Sequence, residues 1–332
     1  MIRENRRRGK GKQIIRAEVP ADLTDSLDVR IPVILDTDIG SDIDDTWALA
    51  LLLKSPELEP KLILTESGNT TYRAKIVAKI LERSGYTDIP IGIGIHLSDK
   101  TGPQSSWVED YEITRYPGVI RKDGVNALIE TIMNSSEIVT LICIGPLTNI
   151  AAALEKEPKI ATKARFVGMH GCLYKSPLGY DGGNGGVVAE YNVRRDPKAC
   201  QKVFSAPWDI TITPLDTCGF VRLKGEKYHV VHECKDPLIR DLMENYKTWL
   251  KSHGGNWRER FEKQSSILFD TVAVYLAFSE DFLVMKDLGV RITDDGYTAI
   301  DEKARTVHCA VEWKDLSAFE NLITERLTGK HV

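Results

Sequence analysis

Five aspartates fall within the ten residues Asp36-Thr37-Asp38-Ile39-Gly40-Ser41-Asp42-Ile43-Asp44-Asp45. Carboxylates this crowded raise one another's pKa, and the arrangement is costly unless a cation neutralises it. No Lys or Arg lies close in sequence to do so. Hard oxygen ligands at this density suit Ca²⁺ or Mg²⁺, whereas zinc would want His or Cys nearby. Aspartates also form turns and cap helix N-termini, a role that accounts for one or two of them but not for five. The EF-hand pattern does not fit, because its glycine and terminal glutamate are not at the required offsets. Downstream, Asn69, Asn184 and Asn192 would each pass singly as turn or capping residues, Glu190 as a surface charge and Asp270 as an N-cap.

The acidic stretch follows an apolar run of strand length, Ile31 to Leu35, and precedes a helix-like run, Thr46 to Lys54, amphipathic enough to cover a sheet. The same alternation continues. Strands are expected at Lys61–Thr65, Ile91–Ile95, Ile138–Ile144, Arg165–Met169 and Ile210–Pro214. Helices are expected at Tyr72–Ser84 (closed by Gly85), Gly124–Met133, Leu147–Leu154, Asp236–Lys251 and Ile267–Phe278. Tyr174 to Gly186 is too rich in Gly and Pro for regular structure and reads as a long loop. Val290 to Val311 alternates around the turn Asp294-Asp295-Gly296 and reads as a short antiparallel edge. The pattern predicts an α/β fold, an open and mostly parallel Rossmann-like sheet with helices on both faces. In such sheets ligands bind beyond the carboxyl ends of the strands, where the acidic loop falls.

Hydrophobic residues make up 42% of the 332 positions and charged residues 28%, a balance that excludes disorder, coiled coil and disulfide-rich scaffolds. The net charge of −4 leaves no electrostatic footprint for nucleic acid or a membrane surface. No apolar run is long enough for a transmembrane helix, and the basic N-terminus has no apolar segment behind its charges. Residues 1–29, with Arg6, Arg7 and Arg8, read as a solvated basic arm, or less simply an anion-binding tail, ahead of one domain over residues 30–332. Six scattered cysteines without a CxxC pair read as reduced and mostly buried, consistent with the cytoplasm.

The acidic segment resembles the N-terminal signature of the inosine–uridine-preferring nucleoside hydrolases, a strand, then DxDxGxDD, then a helix beginning AL. Two extra residues make it DxDxGxDxDD here, and because Ala48-Leu49 follow the last pair, Asp44-Asp45 align with the family's Asp pair. The similarity extends to Ser67-Gly68-Asn69, to Ile144-Gly145-Pro146-Leu147-Thr148-Asn149-Ile150, to Asn184 ahead of Ala189-Glu190-Tyr191-Asn192 with Asp196-Pro197, and to Phe269-Asp270. It spans Ile31 to Ala277.

That resemblance implies hydrolysis of the N-glycosidic bond of ribonucleosides to ribose and free base by a homodimer or homotetramer. It implies Ca²⁺ held by Asp38, Asp45, Asp270 and the carbonyl of Ile144, with Asp44 as general base. Asn69, Asn184, Glu190 and Asn192 would fix the sugar hydroxyls, while Asp36 and Asp42 would support the loop from behind. Phe269 stands where many members carry a His that protonates the leaving base, and Phe cannot donate a proton. Trp107, Tyr246 and Trp249 are candidates to stack on the base instead, and His253 to supply a proton. Two rival readings stand beside this one. A haloacid-dehalogenase-type phosphatase would use Asp36 as nucleophile and Asp38 as acid/base, but Gly40 occupies the position usually held by Thr or Val. A nucleoside-binding protein that has lost hydrolysis is suggested by Phe269.

Overall fold

The computed structural model describes residues 30–331; the basic arm, with Arg6, Arg7 and Arg8, lies outside them. Ten strands form one sheet: β1 (Ile31–Thr37), β2 (Leu58–Thr65), β3 (Ile91–Ile93), β4 (Ile120–Arg121), β5 (Val139–Cys143), β6 (Ala164–Met169), β7 (Ile210–Thr213), β8 (Leu283–Ile292), β9 (Thr298–Ile300) and β10 (Thr306–Trp313). Their order is β4-β3-β2-β1-β5-β6-β7-β10-β8-β9. All neighbours from β4 across to β10 are parallel, and β8 and β9 continue the sheet antiparallel.

Strands buried on both faces carry unbroken apolar runs, and alternate side chains divide between two cores. Val33, Leu35, Ile63 and Ile142 join one core, while Ile34, Leu62, Leu64, Leu141 and Phe166 join the other. The helices, in chain order, are α1 (Asp44–Leu53), α2 (Thr70–Ser84), α3 (Gly124–Asn134), α4 (Thr148–Lys156), α5 (Tyr191–Arg195), α6 (Pro197–Ser205), α7 (Leu215–Cys218), α8 (Gly225–His232), α9 (Pro237–His253), α10 (Trp257–Lys263), α11 (Thr271–Leu276) and α12 (Leu316–Thr328). Among them α3, α4 and α6 cover the second face, and α1, α2 and α11 the first.

Three expectations change. The first helix is not amphipathic: every residue of α1 is buried, because α11 packs beside it on the sheet while α9 and α12 pack against it as a further layer. The helix expected over Ile267–Phe278 is confined to α11. The residues before it run extended, with Ser265 N–H donating to Leu223 O (3.0 Å) and Leu268 N–H to Val221 O (2.9 Å), and this delivers Asp270 to the start of the helix. The antiparallel edge begins earlier, at Leu283, and its last strand, β10, inserts parallel beside β7. All six cysteines are free, five of them buried and Cys234 partly so. No helix among the described residues is long and apolar enough to cross a membrane.

The chain winds from β1 out to β4 in one direction and from β5 through β7 in the other. β1 and β5 therefore lie side by side at the point where the connections diverge, leaving a crevice beyond their carboxyl ends.

The far side of the sheet carries a titratable bridge. His308 of β10 hydrogen-bonds Asp287 of β8 through Nδ1 (2.6 Å) and Glu280 through Nε2 (2.9 Å). Burial alone would depress the imidazole, but the two carboxylates outweigh it and raise the pKa above the ordinary 6.5. A raised folded-state pKa contributes stability that is complete below the unfolded value and fades as pH climbs through the folded one. The thermal midpoint of the wild type should therefore exceed that of His308→Gln at about pH 5.5, with the gap shrinking above neutrality. A constant gap across that range would show that the bridge adds no pH-dependent stability.

Candidate active site

The crevice holds a cavity of about 340 Å³. Asp38, Ser41, Asp42, Asp44 and Asp45 reach it from the β1–α1 loop, Ile144 from beyond β5 and Met169 from the end of β6. Tyr180, Glu190, Tyr191, Asn192 and Arg194 close one side, and Phe269 and Asp270 another. The β1–α1 loop is pinned on several sides. Thr37 Oγ1 donates to Asp45 Oδ1 (2.5 Å) and accepts from the N–H of Ile39 (3.1 Å). Gly40 has φ of +104°, and a Cβ there would come within 2.7 Å of the Tyr72 ring, so only glycine suits this turn. Gln104 Nε2 donates to Asp42 O (2.8 Å) and Trp249 Nε1 to Ser41 O (3.2 Å).

Oxygen atoms of Asp44, Asp45 and Asp270 lie within 4.8 Å of one another, and all three residues are buried. Burial first, and then the charge of neighbouring aspartates, raises each of these carboxyls well above the usual range. A second buried pair stands behind them. Asp36 Oδ2 and Glu66 Oε1 have no hydrogen-bond partner among the described residues, while Asn149 donates through Nδ2 to Asp36 Oδ1 (3.0 Å) and through its backbone N–H to Glu66 Oε2 (3.3 Å). Burial, partly offset by the Asn149 bond, pushes Asp36 up to about 8. An all-oxygen donor set, buried and mutually repelling, fits a hard divalent cation.

A positive charge does reach the loop, from a helix turn that is distant in sequence. Arg73, buried on α2, approaches the Asp38 carboxylate (3.8 Å), hydrogen-bonds the Asp38 carbonyl, and donates to Ile39 O (2.8 Å) and Ser67 O (2.7 Å). The expectation that the loop has no basic neighbour holds along the sequence and fails in space. Asp42 is exposed at the rim, its Oδ1 accepting the Ile43 N–H (2.7 Å).

Glu190 begins α5 as its N-cap, accepting from the N–H groups of Asn192 (2.7 Å), Val193 (3.2 Å) and Gly171 (3.0 Å). Burial carries it up to about 7 against the pull of those three donors. Asn192 donates through Nδ2 to the carbonyls of Ile144 (3.2 Å) and Met169 (3.0 Å), joining α5 to the ends of β5 and β6. The other two asparagines do not line the cavity. Asn69 caps α2 through Tyr72 N–H (2.9 Å) and faces a neighbouring groove, and Asn184 is exposed, its Oδ1 accepting from Gly186 N–H (3.3 Å).

Of the aromatic candidates only Phe269 lines the cavity. Trp107 packs under the Lys79 ammonium (4.7 Å). Tyr246 is fully buried, edge-on to Trp47 (6.1 Å), with its hydroxyl donating to Gln264 O (2.9 Å). Trp249 buttresses Ser41 from behind, and His253 packs on the Trp249 ring (4.3 Å) in an exposed position. Tyr246, Trp249 and His253 lie on α9, whose apolar face is committed to packing on α1 and α2. The partner of Phe269 is Tyr180, ring edge to face at 5.9 Å.

Arg73, Glu66 and Tyr180 were absent from the sequence expectations. The first two leave a readable trace, since Arg73 interrupts the apolar stripe of α2 and Glu66 ends the apolar run of β2. Tyr180 leaves none, lying in a Gly-rich loop.

Residues 33–321 match the family model of the inosine-uridine preferring nucleoside hydrolases. The chain belongs to that family. It is 32% identical over 240 residues to the non-specific ribonucleoside hydrolase RihC of Klebsiella pneumoniae, covering 68% of this chain and 75% of that protein. It is 27% identical over 302 residues to uridine nucleosidase 1 of Arabidopsis thaliana, covering 85% of each. The fold superposes on a purine-preferring ribonucleoside hydrolase from Gardnerella vaginalis with a TM-score of 0.72 at 23% identity, covering 90% of this chain and 98% of that one. The inosine-uridine preferring nucleoside hydrolase of Bacillus anthracis superposes with a TM-score of 0.71 at 20% identity, covering 90% and 100%.

Proposed function

We propose that this member of the nucleoside hydrolase family cleaves the N-glycosidic bond of ribonucleosides, giving ribose and free base, with Ca²⁺ as its cofactor. The observation that carries the reading is the cavity itself, where the buried carboxylates of Asp44, Asp45 and Asp270 meet Glu190 and Asn192 at the crevice between β1 and β5. Asp38, Asp45, Asp270 and the Ile144 carbonyl would hold the ion, which supplies positive charge that grips the ribose diol and acidifies a water. Asp44 would take the proton from the water that attacks C1′. Glu190, with Asn192 beside it, orients the sugar hydroxyls and favours the flattened ring that carries developing positive charge. Asn69 and Asn184 would join them from the flanking loops when substrate is bound. Arg73 holds the turn at Asp38 in place by its carbonyl contacts.

Reducing-sugar release from purine, pyrimidine and modified ribonucleosides tests the reading. Ribose from unphosphorylated nucleosides is the expected result. Binding without any product would favour a nucleoside-binding protein, and phosphate release from phosphorylated substrates would favour the phosphatase chemistry.

A further inference from the structure

Hydrolysis leaves negative charge on the departing base, and charge developing in a closed site is stabilised by a hydrogen-bond donor already in place. Phe269 offers none. Asn192 has its amide engaged with the Ile144 and Met169 carbonyls. Ser41 belongs to the acidic loop, and Tyr191 is exposed with Arg195 over its ring (5.9 Å). At the aromatic wall, beside Phe269 and alongside Arg194, the cavity is lined by Tyr180, whose ring carries a hydroxyl.

Resting on the function proposed above, we propose that Tyr180 is the residue that receives the leaving base, its ring extending the Phe269 wall and its hydroxyl donating a hydrogen bond to the base. The loop is built to hold it. Tyr180 N–H donates to Pro177 O (3.1 Å), Gly183 N–H to Tyr180 O (2.8 Å) and Gly179 N–H to Gly183 O (3.0 Å), closing a tight turn around the residue. Tyr180 Oη accepts the Tyr191 N–H (3.2 Å), which occupies an acceptor site and leaves the O–H proton to be donated elsewhere. Burial, reinforced by the charge of Glu190, raises the phenol well above its ordinary range, so it keeps its proton throughout the working pH of the enzyme. The phenol is too weak an acid to surrender that proton, and its part is to stabilise charge. In the step, the C1′–N bond breaks with its electron pair on the base nitrogen, and the attacking water gives its oxygen to C1′ and a proton to Asp44. The base leaves as an anion hydrogen-bonded to Tyr180 and takes its proton from solvent. Asp44 returns its own proton to solvent, so one water is consumed per bond cleaved.

The test compares wild type, Tyr180→Phe and Tyr180→Ala on inosine, uridine and 4-nitrophenyl riboside, whose leaving group needs no such help. Tyr180→Phe should lower kcat on inosine and uridine by about 10²-fold while leaving nitrophenyl riboside within about 3-fold of wild type. Tyr180→Ala should in addition raise KM for the two nucleosides, because the ring is lost. Equal losses on all three substrates would mean that the hydroxyl only supports the start of α5 through Tyr191, and would overturn the proposal. So would a Tyr180→Phe enzyme matching wild type on inosine and uridine. A wild type that cleaves nitrophenyl riboside but neither nucleoside overturns the proposal while leaving ribosyl hydrolysis standing. A wild type inactive on all three overturns both.

Discussion

Asp45→Ala should lose bound divalent metal and ribosyl hydrolysis together, with activity down by about 10³-fold or more, the scale of a metal ion's contribution to such chemistry. Asp45 is central to the cluster, since its carboxylate touches Thr37 at the end of β1 and lies among those of Asp44 and Asp270. The variant should still fold. Removing one of three mutually repelling carboxylates relieves the apo protein, so Asp45→Ala should melt at the same temperature with and without chelator. The wild type should melt lower once stripped of metal, because a ligand that binds only the folded state stabilises it. Elemental analysis and melting with and without chelator check both halves. Active, unchelated wild type with no divalent metal would remove the metal assignment.

Asp44→Asn should retain metal and substrate binding while turnover falls by about 10²–10⁴-fold, the usual weight of a general base. The substitution keeps shape and removes the ability to take a proton. Geometry sharpens the comparison with Asp38, because Asp44 is as close to Asp45 and Asp270 as a ligand would be, whereas Asp38 lies beside Arg73. Loss of metal from Asp44→Asn together with metal-replete but slow Asp38→Asn would exchange the two roles. Near-normal turnover of Asp44→Asn alongside collapse of Asp42→Asn would instead show that the alignment across the two-residue insertion is off, although Asp42 stands exposed at the rim.

Much of the scaffold was legible because parallel strands advertise themselves. Ile31–Leu35 is apolar throughout and Ile138–Ile144 is apolar but for Thr140, and β1 and β5 form there with both faces covered. Legibility faded where length or layering intervened. α12 passed unread although Asp315 caps it and Gly329 ends it in the left-handed region, because its buried positions are sparse and interrupted by charge. β4, with two residues, is too short to show a period. In the site, the motifs of the family resemblance led to the cavity where neighbours in sequence are neighbours in space, as for Asp44-Asp45, Glu190 with Asn192, and Phe269-Asp270. They failed for the aromatic candidates, since Trp107, Tyr246 and Trp249 suit a base-facing wall and a packed second layer equally well by type. The interior of a helical layer claimed them. Arg73 reaches the acidic loop, and Tyr180 the cavity, only because α2 and the 174–186 loop converge there, and that convergence is a property of the assembled sheet.

The sheet also governs how copies of the protein can meet. A long exposed edge strand is a template for further strands, and proteins commonly blunt such edges with short length and charge. Here β4 pairs with β3 through only two residues and runs into Arg121, Lys122 and Asp123, while β9 spans three residues and runs into Asp301, Glu302 and Lys303. Both outermost strands are thus short and run into charged residues, which blunts them as templates for a further strand.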